Sequence, residues 1–125
     1  MKKILLLVAI LGASLPCSAA QERLEYTKEV RKQSFADKVL FHDLVSAPGG
    51  VAMADEVFYP KAKERKIVKI EVLVPYDNKK VGIERWFIRH SESETAVYIV
   101  KFVPDGQGGT DFGVGRDKLE TPNQS

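Results

Sequence analysis

Between Ile67 and Arg116, apolar and polar residues alternate in four short runs, the period of two that strands show when one face meets a core. The first run, Ile67 to Val74, sets Val68, Ile70, Val72 and Val74 on one face and Lys69 and Glu71 on the other, with Ile67 and Leu73 making that second face only partly polar. Pro75-Tyr76-Asp77-Asn78 closes it, because proline brings no N–H to a ladder and Asp and Asn favour turns. The second run, Gly82 to His90, places Glu84, Trp86, Ile88 and His90 opposite Ile83, Arg85, Phe87 and Arg89. Thr95 to Val103 is apolar on both faces, which predicts a central strand. Pro104-Asp105-Gly106-Gln107-Gly108-Gly109 predicts a hairpin loop, and Thr110 to Arg116 returns as an edge strand with Phe112 and Val114 inward and Gly113 and Gly115 weakening it. Short connections make the four runs an antiparallel meander.

A single sheet must bury its apolar face, and the N-terminal half is what can cover it. Residues 22 to 46 are rich in helix formers and free of proline and glycine, which predicts a helix, with a break expected near Gln33 to Ala36. Leu24, Val30, Phe35, Val39, Leu40, Phe41, Leu44 and Val45 form no clean helical stripe, and Leu24, Tyr26 and Val30 also fit a strand. Pro48-Gly49-Gly50 ends the segment, and Val51 to Tyr59 reads as a short helical cap on the sheet. The expected class is α+β, an N-terminal helix packed on a four-stranded antiparallel meander. That order of elements resembles cystatin-like and small NTF2-like folds, a likeness of architecture that implies no activity.

The first twenty residues change the picture. Lys2 and Lys3, the apolar run Ile4 to Leu11 and the small-residue end Ser18-Ala19-Ala20 have the layout of a secretory signal peptide, with cleavage expected near Ala20 and a periplasmic or secreted product. Gly12, Ser14, Pro16 and Ser18 interrupt the run well short of the roughly 20 apolar residues of a spanning helix, and Pro16 directly before Cys17 disfavours lipidation of that cysteine. Residues 21–117 are expected to form one domain and 118–125 a loose tail. Taking Lys2 and Lys3 from the 19 basic residues leaves 17, equal to the 17 acidic ones, so the basic pI gives no support to nucleic-acid binding. Cys17, the one cysteine, leaves with the leader, which excludes thiol catalysis and cysteine-zinc sites.

Candidate chemistry is sparse. His42 and His90 are the side chains suited to proton transfer near neutrality, and a helix laid on the sheet could gather His42, Asp43 and His90 beside Trp86 as a catalytic or ligand pocket. A helix-surface place for His42 and a strand-end place for His90 beside the Ser91 turn are the simpler expectation, and their separation in sequence lacks the close spacing of metal-ligand motifs. No serine lies in a nucleophile-elbow context, and Asp105 to Asp111 lacks the oxygen ligands of a calcium loop. The densest charge feature is Lys61, Lys63, Arg65, Lys66 and Lys69, which Arg85 and Arg89 with Phe87 would extend into a binding surface for an acidic partner or anionic group; Glu64 and Glu71 dilute it, and a solvated loop and strand entrance is the plainer reading. The expectation is a non-catalytic exported binding or accessory domain without cofactor or metal. An NTF2-like pocket or small enzyme is the rival, and homodimerisation through Leu73, Phe87, Val97 and Ile99 a third possibility.

Overall fold

The computed structural model describes residues 21–77 and 79–117. The expected leader (1–20), tail (118–125) and Asn78 of the expected turn lie outside them. An extended N-terminal segment leads into three short helices, α1 (Lys28–Arg31), α2 (Lys38–Ser46) and α3 (Val51–Phe58), and then into strands β1 (Lys66–Val74), β2 (Gly82–Ser91), β3 (Glu94–Pro104) and β4 (Thr110–Arg116). The strands pair antiparallel in chain order as an open sheet, so the class is α+β. β3 is central, and residues of both its faces are buried, Ala96, Tyr98, Val100 and Phe102 inward and Val97 outward. Its loop to β4 is the glycine hairpin, with Gly106 and Gly108 at positive φ. Among the described residues no helix is long and apolar enough to cross a membrane.

A helix running from 22 to 46 is not what forms. The chain is extended up to Thr27, and Glu25 joins the sheet edge, its N–H donating to Arg65 O at 3.0 Å and its C=O accepting from Ile67 N at 2.8 Å. Thr27 and Asp37 then act as N-caps, their side chains accepting from Val30 N and Leu40 N, so each starts a helix at the place where a hydroxyl or carboxylate satisfies an otherwise orphan amide. The break falls over 32–37, one residue wider at each end than the expected one. Extension at the N-terminus brings Leu24 into the core while Arg23 and Glu25 remain outside, as strand alternation does.

β1 departs from its expected face. Irregularities between Ile67 and Lys69 and between Val72 and Val74 shift the alternation. Ile67 and Ile70 are therefore the buried pair, and Val68, Val72 and Val74 are exposed.

The helical layer covers the inner sheet face through Phe41, Leu44, Val45, Val51 and Ala52, which pack on Trp86, Ile88, Tyr98 and Val100. Phe41 stacks on Trp86 with ring centroids 5.2 Å apart. At the far end, Phe35, Tyr76 and Phe102 close over Gly82, where a Cβ would collide with Tyr76 Cβ and lie 2.8 Å from Tyr76 Cα. Glycine is required there by close approach. Gly82→Ala is expected to lower the unfolding free energy by about 1–3 kcal/mol, measured by urea titration of Trp86 fluorescence. An unchanged midpoint would contradict the packing.

Candidate functional site

Two carboxylates sit on the face that β2 and α3 bury. Asp55 lies on the same side of α3 as Val51 and Ala52, so burying that apolar stripe takes the acid inside with it. It is fully buried, and its oxygens collect three side chains: Arg65 Nε at 2.9 Å, Tyr98 Oη at 2.5 Å and His90 Nε2 at 2.7 Å. The other ring nitrogen of His90, Nδ1, faces Glu94 Oε1 at 2.9 Å. Arg65 also donates to Tyr59 O and Ala62 O, closing the C-terminal end of α3. The His90 side chain is 2% exposed. Its two neighbours Tyr59 and Glu94 line a cavity of about 390 Å³ with Pro60, Lys61 and Ala62.

Glu84 occupies the inward alternation of β2 beside Trp86 and Ile88 and is fully buried as well. Trp86 Nε1 donates to it at 2.9 Å, Phe35 N at 2.8 Å and Ser34 Oγ at 2.9 Å. Burial raises its pKa; the Trp86 indole, the Phe35 amide, the Ser34 hydroxyl and the Arg31 charge pull the other way without cancelling that rise. These bonds tie the α1–α2 connection to the sheet.

Outside these clusters, a cavity of about 330 Å³ opens between the N-terminal segment, α1 and α2. Tyr26 and Val39 form its walls, and Arg31, Lys38 and His42 bring basic groups to it. The Arg31 guanidinium lies 4.3 Å from the centroid of the Phe41 ring. His42 Nδ1 and Tyr26 Oη both bond Glu22, at 3.0 and 2.6 Å. Burial pushes the Glu22 carboxyl up, but those two bonds outweigh it and hold the pKa below its ordinary value. The Tyr26 phenol, through burial and then its bond to Glu22, is pushed up to about 12.

The structure does not bring His42 and His90 together, since each has its own carboxylate partner. Asp43 is half-buried on α2, and Trp86 lies beneath Phe41. Of the expected basic surface, Lys61 and Lys63 are exposed on the α3–β1 connection, while Arg65 turns inward to Asp55. Arg85 is clamped on the outer sheet face between Asp117 at 2.7 Å and Glu71 at 3.0 Å. Phe87 is half-buried with Lys69 over its ring, and Arg89 is exposed at the end of β2. Asp55, Glu84 and, His42 apart, the cavity residues were missed from sequence. An acid on an apolar stripe was the available signal for the first two. Comparison with protein-family models, with curated proteins and with solved structures finds no match for this chain.

Asp55→Ala is expected to cost about 3–5 kcal/mol, because it removes the buried carboxylate that Arg65, His90 and Tyr98 share; chemical denaturation measures it, and a loss below about 1 kcal/mol would refute the network. Glu84 gives a pH signature. A carboxyl whose folded pKa is raised contributes its full stability below the ordinary value of 4.5 and loses it as pH rises through the folded value. Wild-type stability should therefore carry a falling component above that pH, and Glu84→Gln should remove it. Parallel profiles for the two proteins would rule this out.

Proposed function

We propose that this chain is a small exported domain that binds a partner or small ligand without transforming it. The supporting observation is the division of its polar groups. The side chains best suited to proton transfer, His90 with Asp55, are sealed in the core and bonded on both ring nitrogens, whereas the open cavity presents cations and apolar walls. Such a division suits recognition better than acid–base chemistry, which needs a titrating group within reach of a substrate. The leader-like residues 1–20 support export, and the neutral, thiol-free remainder fits a domain held by packing.

The cystatin-like variant of the architecture agrees better with this reading than the NTF2-like one. An NTF2-like cone lined by His42, Asp43, Trp86 and His90 would need an open space where Phe41 and Trp86 stack. The test is native mass spectrometry of the protein released gently from the periplasm. The expected species begins at Gln21 and carries one partner or ligand per chain. A folded chain recovered bare, or one retaining residues 1–20, would count against the proposal.

A further inference from the structure

The cavity between the N-terminal segment and α2 allows the ligand to be described by its chemistry. Arg31 and Lys38 approach it from the two sides of the connection that Glu84 pins, and among the described residues neither side chain has a hydrogen-bond partner. The Arg31 guanidinium lies 4.3 Å from the Phe41 ring centroid, a cation–π contact that restrains it before any ligand arrives. Glu22, the acid at the rim, is hydrogen-bonded by His42 and Tyr26 and feels the Arg31 charge without a hydrogen bond to it. His42 contacts it through Nδ1, which leaves Nε2 without a partner among the described residues. The walls, by contrast, are apolar: the Tyr26 ring and Val39, which is 70% exposed on a nine-residue helix whose other large apolar residues are covered at least in part.

Cations without hydrogen-bond partners among the described residues, beside an apolar wall in a concavity near the lower end of ligand-pocket sizes, select one class of molecule. The geometry points to a small organic carboxylate, its charged end bonded by Arg31 with Lys38 and His42 nearby, and its aromatic or aliphatic body against Tyr26 and Val39. A guanidinium matches a carboxylate in a two-bond fork, which an ammonium cannot do. This assignment rests on the binding reading above and narrows it to one cavity.

Phenylacetate is a suitable probe, with phenylacetamide as the uncharged body and acetate as the charge without the body. Titrations followed by the amide and side-chain NMR signals of the mature chain should show phenylacetate shifting Tyr26, Arg31 and His42. Each comparison compound should bind about tenfold more weakly or worse: phenylacetamide loses a charge-assisted bond worth at least that factor, and acetate loses the burial of the phenyl body. Arg31→Gln should lose about tenfold for phenylacetate, with its unfolding midpoint recorded beside it. Lys101→Gln, which removes an exposed charge from the outer sheet face, should bind as wild type does. Equal binding of phenylacetamide, full binding by folded Arg31→Gln, or no saturable shift at the cavity would each overturn the assignment. A chain that carries a stoichiometric protein partner from the periplasm yet fails these titrations keeps the binding reading and loses the cavity. A bare chain that passes them keeps both readings, its ligand having left during isolation, and a bare chain that fails them loses both.

Discussion

A buried carboxylate has to find donors inside the protein, and Asp55 meets that demand with groups from three separate parts of the fold. Arg65 comes from the connection after α3, His90 from β2 and Tyr98 from β3. Only one placement of α3 on the sheet satisfies all three, so the network acts as a locating pin. Its worth lies less in net energy than in uniqueness. Well-packed apolar groups of the same volume can replace a buried ionic cluster without loss, whereas removing a single member strands the others. Tyr59 packs over the His90 ring with centroids 4.6 Å apart, which keeps water from the same joint.

Glu84 applies the same constraint to the other end of the helical layer, and the consequences are larger because the local structure there is weak. α1 is four residues long and α2 nine, lengths at which a helix does not persist on its own in water. Their positions are therefore set by tertiary contacts. By holding Ser34 and Phe35, Glu84 fixes the spacing between the end of α1 and the start of α2, and with it the distance between Arg31 and Lys38. The cavity is thus a by-product of how a charged residue was accommodated in the core. The electrostatic coupling runs along the same path, since Arg31 also opposes the raised pKa of Glu84.

What could be read from sequence follows from how local each signal is. Alternation and turn residues are local, and β2, β3, β4 and the glycine hairpin were legible within a residue or two. β1 was legible as a strand but not in its facing. The run Val68, Ile70, Val72 alternates without a visible flaw, and the irregularities that bury Ile67 instead arise from pairing with β2. The N-terminal half misled because helix propensity is a weak guide where no stripe supports it. Thr27 and Asp37 were the better signals, each a capping residue in front of a helix start. The site was less legible again. Glu84 among Trp86 and Ile88 was visible as an acid at an inward position, but the partners of Asp55 lie 10, 35 and 43 residues away. Lys61, Lys63 and Arg65 look like one cluster in sequence, and the fold separates them by turning Arg65 inward.

Charge shows the same gap between composition and placement. Without its first twenty residues the chain is formally neutral, which taken alone suggests no preference for ligand charge. Folding does not spread that neutrality evenly. Arg23 pairs with Glu56, Arg65 with Asp55, and Arg85 with Glu71 and Asp117, so several cations and acids cancel within bonding distance. Glu22 is likewise engaged at the cavity rim. Pairs of this kind project little field beyond a Debye length, about 8 Å at physiological ionic strength. The field that remains comes from charges left without a salt-bridge partner among the described residues, acids such as Glu29 and Glu64 as well as cations, and Arg31 and Lys38 are two of the cations, brought together at a concave apolar surface. A neutral domain can therefore select an anion, because selection depends on which charges the fold leaves unpaired and where it puts them.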